Sequence, residues 1–193
     1  MKKTLTLFLV AFFGLVLTAG AQIERGNVLA GADIANFNIG LSKPSYFNIN
    51  IDPKFGFFIK DNVALGPYVN FGVFGSSGNT TVTYGVGAFG RWYANGKNNV
   101  SPIRHSLLFG EANIGIGGQS NPGGGSTTGL GFGFGPGFSY FVTPNIGLEA
   151  LLKYNGNAGF GSQPYSSTLD LNFGFQIYLP SRGLKAKVMN DVK

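Results

Sequence analysis

The feature that most constrains this chain is an alternation of apolar and polar residues, repeated in eight stretches that are each long enough to cross a bilayer as a strand. Read in steps of two, residues 26–39, 46–59, 63–75, 80–94, 104–117, 128–141, 145–156 and 167–179 carry a strand's period and are separated by turn signals. A tilted transmembrane strand needs roughly 9–11 residues, and every stretch exceeds that. In 46–59, Phe47, Ile49, Ile51, Phe55, Phe57 and Ile59 share one parity, while Asn48, Asn50, Asp52 and Lys54 share the other. In 145–156, Ile146, Leu148, Ala150, Leu152 and Tyr154 alternate with Gly147, Glu149, Lys153 and Asn155. In 167–179, Leu169, Leu171, Phe173 and Phe175 alternate with Asp170, Asn172, Gly174 and Gln176. Strands in lipid keep their charges off the hydrocarbon, so the polar parity faces inward. The pattern predicts an all-β fold, an eight-stranded antiparallel up-and-down transmembrane β-barrel over 22–179. The structural rival is a soluble lipocalin-like barrel, which would bury the apolar parity and push Asp52, Lys54, Glu149 and Lys153 to the surface.

The sixth stretch sets Leu130, Phe132, Phe134, Phe138 and Tyr140 against Gly131, Gly133, Gly135 and Gly137. Inward glycines give a narrow barrel room for long side chains from other strands; a glycine-lined ligand slot is the alternative. Turn lengths suggest an orientation. Lys60-Asp61-Asn62 and Thr143-Pro144-Asn145 are short, whereas Gly117 to Thr127 and Asn155 to Ser166 are longer and rich in Gly, Ser and Asn. Barrels of this class have short periplasmic turns and longer outer loops. The connection 95–103 departs from that rule as a long periplasmic turn. Phe57, Trp92 and Tyr140 near one end, with Phe47 and Tyr154 near the other, suggest two interfacial girdles.

Residues 1–21 read as an export signal: Lys2 and Lys3, an apolar run from Leu5 to Leu17, then Ala19-Gly20-Ala21 before a cleavage point at Gln22. Charge sits at the two ends. Residues 22–179 hold eight basic and seven acidic residues, while a basic tail, 180–193, holds four basic and one acidic. The barrel has no basic face, so a nucleic-acid partner is not expected. With no cysteine there is no disulfide framework, thiolate metal site or cysteine nucleophile. A ladder of backbone hydrogen bonds closed on itself can hold an exported chain without disulfides.

Several runs resemble the small outer-membrane β-barrel proteins common in Bacteroidetes-type bacteria, of the same broad architecture as the OmpA, OmpX and OmpW barrels. They are Pro53-Lys54-Phe55-Gly56-Phe57-Phe58, Asp61-Asn62-Val63-Ala64-Leu65-Gly66 and Gly87-Ala88-Phe89-Gly90-Arg91-Trp92-Tyr93. Gly135-Pro136-Gly137-Phe138-Ser139-Tyr140-Phe141, Thr143-Pro144-Asn145-Ile146-Gly147-Leu148-Glu149-Ala150 and Leu171-Asn172-Phe173-Gly174-Phe175-Gln176 complete the set. The resemblance implies a fold, an outer-membrane location, lipid as the surrounding partner and a barrel-assembly machinery during biogenesis. It carries over no catalytic residue. Such barrels often end on an aromatic last strand, whereas here Tyr178-Leu179 is followed by fourteen residues.

The inward parity gathers Asp33, Asp52, Lys54, Arg91, Glu111, Glu149, Lys153 and Asp170. Buried charges must pair or find water, so these predict a polar network filling a bore barely wide enough for side chains. Arg91 and Glu111, on adjacent strands, are expected to join Glu149 and Lys153. His105 is the only histidine, which excludes a multi-histidine metal site and leaves a serine hydrolase a single candidate base at a strand end. No cofactor or metal is indicated. The outer loops are almost uncharged, Lys43 excepted, so strong electrostatic capture of anions is not indicated. The expected function is a monomeric structural or adhesive barrel without catalysis. The alternatives are a narrow pore or carrier for small or apolar solutes, and a lipid-modifying enzyme.

Overall fold

The computed structural model describes residues 23–40, 46–76, 79–94, 106–120, 126–143, 145–160 and 165–180. The expected export signal, the tail beyond Pro180, the connection 95–105 with His105, and Lys43 lie outside the described residues.

Eight strands follow one another: β1 (Val28–Gly40), β2 (Tyr46–Lys60), β3 (Val63–Ser76), β4 (Asn79–Tyr93), β5 (Ser106–Ser120), β6 (Ser126–Thr143), β7 (Ile146–Gly159) and β8 (Ser166–Leu179). Each pairs antiparallel with its sequence neighbours, and β8 returns to β1 with Val28 opposite Leu179, closing the barrel. Closure pairs the edges that an open sheet would leave to hydrocarbon.

The parity is that of a transmembrane barrel. Leu169, Phe173, Ile114 and Val86 stand exposed on the outer wall, each more than half accessible, while Asp52, Lys54, Arg91, Glu111, Glu149 and Lys153 are buried inside. This is the reverse of the soluble rival. Phe57, Trp92, Tyr140 and Phe47 also face outward.

The strands run longer than the sequence pattern suggests at the end away from the termini. β3 and β4 extend until Ser76 pairs with Asn79, leaving only residues 77–78 between them. β5 and β6 pair up to Ser120 opposite Ser126, and β7 continues to Gly159. Most of the polar stretches expected to be loops therefore belong to the wall. Gly and Asn are weak strand formers by themselves, but a ladder already in register extends them.

At the other end the chain reverses tightly. Asn62 adopts a left-handed backbone (φ 66°), which Asn tolerates better than most residues, between Lys60 and its partner Val63. Residues 23–27 fold against this turn: Asn62 N–H donates to the Ile23 carbonyl (2.8 Å), Gly26 N–H to that of Phe58 (2.8 Å), and Arg25 N–H to the Asp61 carboxylate (2.9 Å). Ile23 packs against the cluster of apolar side chains that fills this end of the bore.

Candidate functional site in the barrel lumen

The lumen is built in three levels. Lowest, at the end carrying both termini, Leu29, Phe58, Ala64, Tyr93, Phe109, Phe141 and Tyr178 converge from seven strands, none more than 4% exposed. Their rings interlock, with Tyr178 5.1 Å from Phe141 and Tyr93 5.7 Å from Phe109 between centroids. Inward parity expects polar residues here, yet the end of the bore is apolar. These side chains are shut off from solvent, and nonpolar groups fill such a level at lower desolvation cost than polar ones. Glycine supplies room: a Cβ at Gly137 would collide with the edge of the Phe109 ring.

Above the rings lies a chain of alternating charge. The Lys54 amine reaches Asp33 (2.6 Å) and Glu111 (2.8 Å); the Arg91 guanidinium reaches Glu111 (2.6 Å) and Glu149 (2.7 Å). Asp33 sits on β1, Lys54 on β2, Arg91 on β4, Glu111 on β5 and Glu149 on β7, so the chain crosses the bore. Further donors reach the carboxylates. Ser139 Oγ (2.7 Å) and the Tyr178 hydroxyl (2.9 Å) donate to Glu149, and Gln176 Nε2 donates to Asp33 (3.1 Å). The Arg91 guanidinium also stacks over Phe109, 4.1 Å from the ring centroid, tying the charged level to the aromatic one.

The third level opens. The Lys153 amine faces Asp52 at 3.6 Å, and Asn70 Nδ2 donates to the same carboxylate at 2.6 Å. Tyr68 lies across the inward glycines Gly87 and Gly115, with its hydroxyl accepting from Asn113 Nδ2 at 3.0 Å. Beyond these residues the bore is a cavity of about 530 Å³, walled largely by asparagine, threonine and glycine.

The residues singled out from sequence therefore divide. Arg91, Glu111, Glu149 and Lys54 meet in one network. Lys153 does not join Arg91 as expected but pairs with Asp52 one level up. Asp170 is opposite Lys153 in the ladder, yet it accepts from Asn155 Nδ2 (2.7 Å) and Thr168 Oγ1 (2.8 Å) instead. The Lys153 side chain reaches across the bore, and Asp170 remains nearer the water. The expectation of a bore filled along its length is also corrected: side chains fill the half near the termini, and the other half is hollow. Glycine and asparagine are too short there to meet across the barrel. Asn113 and Tyr68 were not picked out from sequence, although counting two residues on from Glu111 reaches Asn113.

No protein-family model matches the chain, and no curated protein sequence matches it. Among solved structures it is similar to Neisserial surface protein A (NspA), at 21% identity over 79% of this chain and 96% of that one, with a TM-score of 0.51. Weaker similarity is found to the N-terminal β-barrel domain of Pseudomonas aeruginosa OprF (14% identity, 79% and 97% covered, TM-score 0.47) and to Ail, the attachment invasion locus protein of Yersinia pestis (17%, 79% and 99%, 0.44). Eight antiparallel strands closed on themselves, charges turned inward and a backbone that follows NspA give this chain the fold of a small outer-membrane β-barrel.

Proposed function

We propose that the protein is a monomeric outer-membrane barrel with a structural or surface role, closed to through passage and without catalysis. It stands with both termini toward the periplasm and the cavity toward the outside, its outer wall in lipid, after delivery by the barrel-assembly machinery. The observation that carries this reading is the Asp33–Lys54–Glu111–Arg91–Glu149 chain laid across the bore above a buried aromatic layer. An ion crossing it would have to break ion pairs in a poorly solvated setting and then part interlocked rings.

Planar-bilayer recording tests the reading. The protein is expected to give no unit conductance, and Glu149→Ala, once folded, is expected to give none either, because the aromatic level stays shut. Steady channels whose ion selectivity changes in Glu149→Ala while urea stability holds would overturn it.

A further inference from the structure

The cavity at the open end is a built site rather than a gap. Its volume, about 530 Å³, lies within the range of roughly 300–1,000 Å³ usual for small-molecule sites. Its wall carries the amides of Asn50, Asn70, Asn113, Asn155, Asn157 and Asn172. Each amide offers donors and an acceptor within a few ångströms. Some of that capacity is unused. Asn172 is 1% exposed, yet neither its Nδ2 nor its Oδ1 has a hydrogen-bond partner among the described residues, and the same holds for Asn113 Oδ1. Buried polar groups left unpaired are costly and call for a partner.

The charges in the wall are already engaged. Lys153 faces Asp52, Asp52 also accepts from Asn70, and Asp170 accepts from Asn155 and Thr168. An anion would find no cation to itself, and a cation would have to compete for both carboxylates. An apolar ligand would leave the amides stranded. A ligand dense in neutral groups that both donate and accept satisfies all these conditions, and hydroxyls are such groups.

We propose that this cavity binds the uncharged, hydroxyl-rich end of a saccharide, with Asn172 and Asn113 as its deepest contacts. The proposal rests on the closed-barrel reading for a blind-ended site that faces outward.

The test uses the full-length barrel folded in detergent on an array of neutral and acidic glycans, with two variants. Asn172→Leu removes the unpaired amide; Asn157→Trp blocks the mouth from an exposed position, where the substitution leaves the buried levels intact. Neutral glycans are expected to retain the barrel, and each variant to bind at least about tenfold more weakly, Asn172→Leu by losing a deep contact and Asn157→Trp by obstruction. Capture by no glycan means that water alone fills the cavity and overturns the proposal. Capture confined to acidic glycans, or unchanged in both variants, overturns it equally. Conductance in planar bilayers is read separately: channels with saccharide binding intact would sink the closed-barrel reading alone, and silence with no binding would sink this one alone.

Discussion

The two halves of the lumen share the same strands and the same inward parity, yet one is solid and the other hollow. Near the termini, β4 and β5 turn Tyr93, Arg91, Phe109 and Glu111 inward, all of them buried. A few residues further along, the same faces present Gly87, Gly85, Gly115 and Gly117, and the last three line the cavity. Side-chain reach makes the difference. An eight-stranded bore is closed by long side chains meeting across it, and short ones leave it to solvent. Charge follows the same gradient. In the solid half the ion pairs stand at 2.6–2.8 Å, whereas the Lys153–Asp52 pair at the boundary stands at 3.6 Å.

That contrast orders the expected effects of mutation. Arg91→Ala is expected to be the most damaging, because Glu111 and Glu149 lose their shared cation where water is scarce. A loss of about 3–5 kcal/mol is expected, measured by urea unfolding in liposomes. Arg91→Ala combined with Glu149→Ala is expected to cost less than the sum of the two single losses. Additive losses would show that the chain is not one network.

Phe173→Arg examines the outer wall at a position 59% exposed. Near mid-bilayer it is expected to cost about 2–4 kcal/mol. A cost near zero in a bilayer folding assay would remove the lipid-facing assignment.

Lys153→Met sharpens the comparison at the boundary between the halves. Asp52 keeps Asn70 and lies at the cavity, so a loss of about 1–3 kcal/mol is expected, below that of Arg91→Ala in the same assay. A loss as large as that of Arg91→Ala would mean that the open half is as dry as the closed one.

The smallest effects come from a matched pair on β6. At Gly137 an added methyl runs into the Phe109 ring, whereas at Gly131 it meets the end of the Asn157 side chain and touches the Gly115 carbonyl at ordinary contact distance. Gly137→Ala is expected to cost about 1–3 kcal/mol, while Gly131→Ala is expected to change stability by no more than about 0.5 kcal/mol. Equal costs by urea unfolding would contradict a solid half and a hollow half. The packing reading of this glycine row holds at Gly137, where the missing side chain leaves room for the Phe109 ring, while Gly131 lines the cavity wall.

What the sequence by itself determined is what a period of two can encode: the number of strands, their approximate spans, and which side chains of each face inward. Asp52, Lys54, Arg91, Glu111, Glu149 and Lys153 were legible because parity is local, set by the pleat and by the penalty for charge in lipid. Which charge meets which was decided only in the closed barrel. Lys54 and Glu111 are 57 residues apart, and Arg91 and Glu149 are 58 apart. They meet because ladder register fixes the height of each side chain and closure fixes its direction across the bore. The same applies to Lys153, which passes over its ladder neighbour Asp170 to face Asp52, and to Ile23, which packs under the aromatic level. Register is the sum of seven hairpins and one closing seam, and no single segment contains it.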